Sequence, residues 1–186
     1  MAKYSNDENM NAYLDNIKDN ADELVLCSAL PGTYYQGCDP PAWIESTVYT
    51  IGDVVRPATR AGKVYECTTG GTSKSGAEPA WDTTPGQTTV DNTVTWTCRI
   101  NCAQVSVAIT SANFTGPVNG DADGRKLTVN AQNDQDIFVT DDVIYCALLD
   151  GTNKVVLFVT STTTQTLTSG NKANIPAWDI EVSDPS

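Results

Sequence analysis

Carboxylates, thiols and aromatic rings are the side chains in this sequence that could do chemistry, and the spacing of each class narrows what it could do. The chain has no histidine among its 186 residues. That removes Ser-His-Asp and Cys-His couples as sources of a nucleophile. No G-x-G-x-x-G follows a strand-like run and no G-x-x-x-x-G-K-[ST] occurs, so the phosphate cradles of nucleotide enzymes are missing. The carboxylates cluster in turns and along one helix face, where they are solvated, so a paired-carboxylate glycosidase is not expected. Asp121-Ala122-Asp123-Gly124 begins like a calcium loop, but Lys126, Thr128 and Gln132 follow where further acids and a bidentate Glu are needed. A plain turn is the expectation there, with a surface cation on Asp121 and Asp123 as the alternative. No cofactor, resident metal or enzymatic activity is expected.

Six cysteines stand at 27, 38, 67, 98, 102 and 146. None forms a C-x-x-C, and without histidine a zinc site would need four of these thiolates at unsuitable spacing. Buried free thiols are expected. Cys67 and Cys98 lie in strand-like runs of one segment and are the pair expected to join under oxidising conditions.

The aromatic residues carry the strongest binding signal. Three of the four tryptophans, Trp43, Trp81 and Trp96, fall within residues 43–98. Trp and Tyr rings suit the CH face of a sugar or a protein hot spot. Yet a segment of this size needs its aromatics for a core. Trp43, Tyr49, Tyr65 and Trp96 lie in or beside strand-like runs and are assigned mainly to packing. Trp81 sits between Pro79 and Pro85-Gly86 in a polar stretch and is the ring expected on display. The candidate ligand-binding residues are therefore Trp81, Tyr49 and Trp96.

The elements that must position these residues read as mainly β. Residues 5–22 form the one predicted helix, with Ser5 and Glu8 as a capping box. Met10, Tyr13, Leu14, Ile17 and Ala21 recur at helical spacing. This stripe must lie on the chain's own domain, a sister subunit or another protein, and Met10, Tyr13, Leu14 and Ile17 are the candidate partner contacts. Leu24–Leu30 reads as a buried strand and Thr33–Pro41 as a loop at a boundary. Within the aromatic segment, strands are expected at Val54–Arg56, Val64–Thr68 and Thr93–Cys98, with 69–92 as a long loop. Beyond Asn101, alternation at Val105–Ile109 and Leu127–Val129, the apolar runs Val143–Leu149 and Val155–Val159, and the pattern Trp178, Ile180, Val182 predict further strands. Gly116–Gly124 reads as a loop. The expected architecture is a β-sandwich or jelly-roll-like domain with a short N-terminal helix and a small inserted all-β module. Its parts are a helical arm (1–22), a host domain (23–40 plus 100–186) and the insert (41–99).

The formal net charge of −12 argues against nucleic acid and against anionic membrane surfaces, because both need clustered Lys and Arg. The first residues contain no apolar h-region and no run is long enough to span a membrane, so synthesis and first folding in a cytoplasm are expected.

The pattern Trp43-x5-Tyr49-x2-Gly52-x-Val54-Val55, followed by Gly62-Lys63-x-Tyr65-x-Cys67, resembles the small chitin- and cellulose-binding modules of the type 5/12 kind. The resemblance implies that the first Trp and Tyr are structural. It also implies a sugar-facing Trp shortly after the second Tyr, where this chain has Thr68-Thr69-Gly70-Gly71; Trp81 is the available substitute. The continuation E-P-A-W-D-T-T-P-G and D-N-T-V-T-W resembles modules of tailed-phage structural proteins. So do the flanks D-E-L-V-L-C-S-A-L-P at 22–31, G-D-A-D-G-R-K-L-T-V at 120–129 and the P-A-W-D-I-E-V ending at 182. This resemblance implies a non-enzymatic virion component, foremost a capsid decoration (cement) protein on the capsid surface. It would bind the major capsid protein or other virion proteins and display the insert outward, with a homo-oligomer and a glycan as further partners to test. A tail or fibre adhesin for host polysaccharide is the alternative, and an excreted carbohydrate-binding protein the third reading.

Overall fold

The computed structural model describes residues 7–183; the Ser5 end of the predicted capping box lies outside them. In chain order the elements begin with α1 (Asp7–Asn20), β1 (Glu23–Cys27) and the one-turn helix α2 (Tyr34–Gly37). The aromatic segment contributes β2 (Val48–Tyr49), β3 (Val54–Val55), β4 (Lys63–Thr69), β5 (Gly71–Thr72), β6 (Thr88–Asp91) and β7 (Val94–Ile100). The remainder supplies β8 (Ala103–Ala108), a 3-10 turn at Ser111–Asn113, β9 (Phe114–Asn119), β10 (Arg125–Val129), β11 (Gln132–Asp136), β12 (Asp141–Asp150), β13 (Val155–Leu167), β14 (Lys172–Ile175) and β15 (Trp178–Val182). The protein is mainly β, with a β-sandwich-like domain, one short N-terminal helix and a small all-β module.

The central sheet has the order β13-β12-β1-β8 and all its pairings are antiparallel. Strand β1 explains why its sequence is apolar without interruption. Leu24 and Leu26 face one side, opposite Leu148 and Cys146 on β12 and Val107 and Val105 on β8. Val25 and Cys27 face the other side, with Ala147 and Ala103. A strand covered on both faces reads as a continuous apolar run rather than an alternation.

The first face is covered by the sheet β15-β10-β9, the hairpin-like pair β11-β14 and α1. Together they enclose one aliphatic core that includes Leu127, Val129, Ile175 and Ile180. Helix α1 places Leu14 and Ile17 in this core, and Ala21, just beyond its end, joins them. Its C-terminal end is tied down where Asp22 N–H donates to Leu149 O at 3.0 Å and Gly151 N–H donates to the Asp22 carboxylate at 2.8 Å. Met10, Leu14 and Ile17 are all buried against the chain's own domain, so of the helical stripe only Tyr13 is exposed, at 48 %.

Strand pairing among residues 42–100 is internal to that segment. Its main sheet has the order β3-β4-β7-β6. Tyr65 and Cys67 on β4 face the aromatic core, while Val64 packs with Val25, Cys27 and Leu149 of the central sheet's second face. The insert is thus joined to the host by an apolar contact and by polar clamps. Tyr35 O–H donates to Glu66 Oε1 (2.7 Å), Asn101 N–H donates to Gly62 O (3.0 Å), and Arg60 grips Asp39 through two nitrogens at 2.5 and 2.9 Å.

Several segments differ from expectation. Thr33–Pro41 contains α2, because Gln36 Oε1 accepts from the N–H groups of Gly32 (2.8 Å) and Thr33 (3.0 Å), the return half of a Thr-x-x-Gln cap. The stretch 69–92 contains β5 and β6 as well as loop. β9 runs to Asn119, into the expected loop, and β13 continues from its apolar start through Thr160–Leu167. Polar Thr-rich sequence forms strand readily when a neighbour supplies the hydrogen bonds, as β12 does here.

Candidate functional site

The aromatic cluster of the insert is built around a carboxylate. Asp91 ends β6, is fully buried, and accepts from Trp43 Nε1 at 2.8 Å and Trp96 Nε1 at 3.1 Å on one oxygen. Its other oxygen accepts from Lys74 N–H at 3.0 Å. A buried charge is tolerated only when its lone pairs are met, and here three donors converge on it. The two-residue turn Asn92-Thr93, with Asn92 left-handed at φ 56°, folds β6 onto β7 and brings Asp91 opposite Val94. The sequence marks Asp91-Asn92 only as a turn; nothing in it reveals that the aspartate faces two indoles.

Around this anchor, Tyr49 meets Trp96 edge-on at 4.8 Å, and Trp81 stacks on Tyr65 at 4.2 Å. Trp81 also meets Trp96 edge-on at 6.0 Å, and its Nε1 donates to Glu78 Oε2 at 3.1 Å. Of the three candidate ligand-binding residues, Trp96 is fully enclosed and Tyr49 is buried at 9 % exposure. Trp81 is half-buried, so its expected free display is reduced to one portion of a ring that is also a packing element. The Thr68–Gly71 stretch cannot carry an aromatic at its last position. A Cβ at Gly71 would stand 2.6 Å from the Thr93 carbonyl oxygen.

The cysteines are all free thiols. Register explains why Cys67 and Cys98 are not suited to each other: Cys67 lies opposite Trp96 and Cys98 opposite Tyr65. Diagonal neighbours on adjacent strands are roughly 7–8 Å apart, whereas a disulfide needs Cβ atoms about 4 Å apart. The Asp121 carboxylate pairs with Lys126, and among the described residues no group of three or more potential metal ligands comes together.

The host domain holds a groove of about 640 Å³ between the β12–β13 hairpin and β14–β15. Its floor includes Leu26, Val143, Ile175 and Trp178, and its rim includes Thr160, Thr162 and Gln165. Trp178 stacks on Phe158 at 5.8 Å. Along the same rim runs β13, thirteen residues long and at the edge of the central sheet. The opposite edge, β8, is different: Phe138 N–H donates to Gln104 O at 3.0 Å and covers it in part.

No family model, curated protein or solved structure matches this chain.

The geometry therefore speaks for itself. The insert's rings are held by one another and by Asp91, whereas the host presents an open strand edge beside an apolar-floored groove. The Thr/Ser run at 160–164 lies beyond the apolar stretch that marks β13 in the sequence, and only the fold places it on a sheet edge.

Proposed function

We propose that this chain is a non-enzymatic structural protein of a tailed-bacteriophage particle, a head decoration protein whose host domain docks on the capsid shell and carries the insert outward. The resemblance of its flanking segments to phage virion proteins supplies the class. One observation carries the mode of attachment: the edge of β13. From Val155 to Leu167 this strand has no charged residue and no proline, two of the devices that natural proteins use to blunt an open edge, although its register with β12 shifts twice, beside Leu157 and at Thr162–Thr164. A long edge without charge or proline is a template for strand addition by a partner. The formal charge of −12 suits an exposed outer layer that must not self-aggregate.

Quantitative mass spectrometry of purified particles from cells that make the chain tests this reading. A copy number comparable with the capsid subunit supports decoration, a handful of copies supports a tail position, and absence from particles overturns both. Thr162→Lys, which places a charge on the β13 edge, should abolish incorporation while leaving the circular dichroism spectrum unchanged.

A tail or fibre adhesin is the second reading, favoured by the half-exposed Trp81 ring stacked on Tyr65. Its measure is a polysaccharide pull-down with the intact protein: binding that Trp81→Ala removes supports it, and no binding by the wild type ends it.

A further inference from the structure

The base of the insert brings together two cysteines that sequence spacing does not associate. Cys27 ends β1, just before the chain leaves the central sheet toward the insert, and Cys102 stands just before β8, where the chain returns. Cys27 pairs in register with Ala103, and Ser28 N–H donates to Cys102 O at 3.0 Å. Both side chains belong to the same apolar cluster between the central sheet and the insert. The Cys102 sulfur is fixed 3.1 Å from Gln36 O and 3.3 Å from Ala29 O, and it lies within hydrogen-bonding reach of the Cys27 thiol.

The two thiols differ in the way a reactive pair requires. Cys27 is completely buried, whereas Cys102 is partly exposed. Cys102 also lines a small cavity of about 80 Å³ whose walls include Arg56, Arg60 and Lys63, with Asp141 as the one carboxylate on that lining. Arg56 and Arg60 are themselves paired with Asp39, at 3.6 and 2.5 Å, and the cavity they line reaches Cys102. The hydrogen bond from Cys27 holds the Cys102 thiol below its ordinary value, and the same contact, reinforced by burial, pushes Cys27 up. Cys102 is therefore the attacking thiol and Cys27 the resolving one.

We propose that Cys27 and Cys102 form a thiol pair that closes to a disulfide in the presence of a low-molecular-weight disulfide, locking the two ends of the insert together at its junction with the host. With oxidised glutathione as oxidant, the Cys102 thiolate attacks one glutathione sulfur and expels the other as glutathione thiolate. Cys27 loses its proton to solvent, attacks the Cys102 sulfur of the mixed disulfide and expels the second glutathione. The protein loses two protons and two electrons, and one glutathione disulfide becomes two glutathione thiols. The new bond encloses residues 28–101, the whole insert. A loop of that length constrains the unfolded chain strongly, so Tm should rise by about 10 °C.

The experiment uses the folded, full-length protein incubated with oxidised glutathione, followed by intact-mass measurement and non-reducing peptide mapping. The expected result is a mass decrease of about 2 Da, as two thiols become one disulfide, with the link mapped to Cys27–Cys102 and a raised Tm. Cys98→Ser should close in the same way and Cys102→Ser should not. Six thiols surviving, a Cys67–Cys98 link, or a glutathione adduct that persists on Cys102 would each overturn the proposal. So would a Cys27–Cys102 link that leaves Tm unchanged, because the bond would then clamp nothing. The mapping on wild-type protein decides the matter even if a variant fails to fold.

Discussion

The two cores of this protein solve the same problem with different materials. The host core contains nineteen buried residues, of which Phe114 is the one aromatic. It is large enough to be held by aliphatic burial between a sheet and its covering layer. The insert's core contains eight buried residues, and four of them are Trp43, Tyr49, Tyr65 and Trp96. A small core cannot enclose much area with aliphatic side chains, so it uses rings, each of which hides a large surface. Rings with N–H and O–H groups then need acceptors inside, and Asp91 supplies the shared one. Large aromatics in a small module are thus first of all a solution to its size, and only what remains exposed is available to a ligand.

Substitutions should separate the two cores. The largest effect is expected for Asp91→Ala, which leaves two indole N–H groups and the Lys74 amide without their acceptor and should cost about 4 kcal/mol. In denaturant, tryptophan fluorescence should then report unfolding of the insert before the far-ultraviolet signal of the host sheet is lost. Coincident transitions would mean that the insert and host unfold as one unit. Leu148→Ala, at a fully buried position of the central sheet, should cost about 3 kcal/mol by leaving a cavity. It should lower both signals together, because β12 is also part of the surface on which the insert rests; a shift in the host signal alone would show that the insert stands independently.

Trp81→Ala comes next. Loss of its stack on Tyr65 and its edge contact with Trp96 should cost about 1.5 kcal/mol, measured by thermal melting. A negligible change would reassign Trp81 from packing to display and strengthen the adhesin reading.

Two half-buried carboxylates at and beside the junction give smaller effects of opposite sign with pH. Burial pushes Glu66 up, but hydrogen bonds from Tyr35 (2.7 Å) and Arg99 (2.6 Å) outweigh it and hold the carboxyl below the ordinary 4.5. Its contribution is present above that value and is lost as pH falls through the lower folded value. Glu66→Gln should therefore make the acid limb of a stability–pH curve shallower. Glu23 is raised above 4.5, foremost by burial, and hydrogen bonds from Ser106 and the Asp39 amide offset this only in part. Its contribution is full below 4.5 and declines as pH rises through the raised value. Both donors reach the same oxygen, Ser106 Oγ at 2.6 Å and Asp39 N at 2.8 Å, so glutamine can keep them. Glu23→Gln should gain about 0.5 kcal/mol at neutral pH in denaturant melts; a loss would show that the charge itself is needed at the junction.

What the sequence determined by itself is local in origin. Alternation and turn residues place most of the strands, and the helical stripe places α1. The change of character near Pro40 and again near Asn101 marks an insert whose strands pair only among themselves. The Thr33-x-x-Gln36 spacing of α2 is local as well, although the segment reads as a loop. Other decisions belong to the tertiary structure alone, because they depend on which surfaces distant segments bring together. Strand register sets Cys67 opposite Trp96 rather than Cys98, and the crossing of the host sheet places Cys27 beside Cys102. The stripe of α1 covers the aliphatic core, which leaves Tyr13 as its exposed large side chain. Asp91 becomes the centre of the aromatic cluster because a two-residue turn aims it inward, and the threonines of β13 become an open edge because no other strand among the described residues pairs beyond them. Residue type and periodicity fix which face is apolar; only long-range pairing fixes what that face, or that edge, will meet.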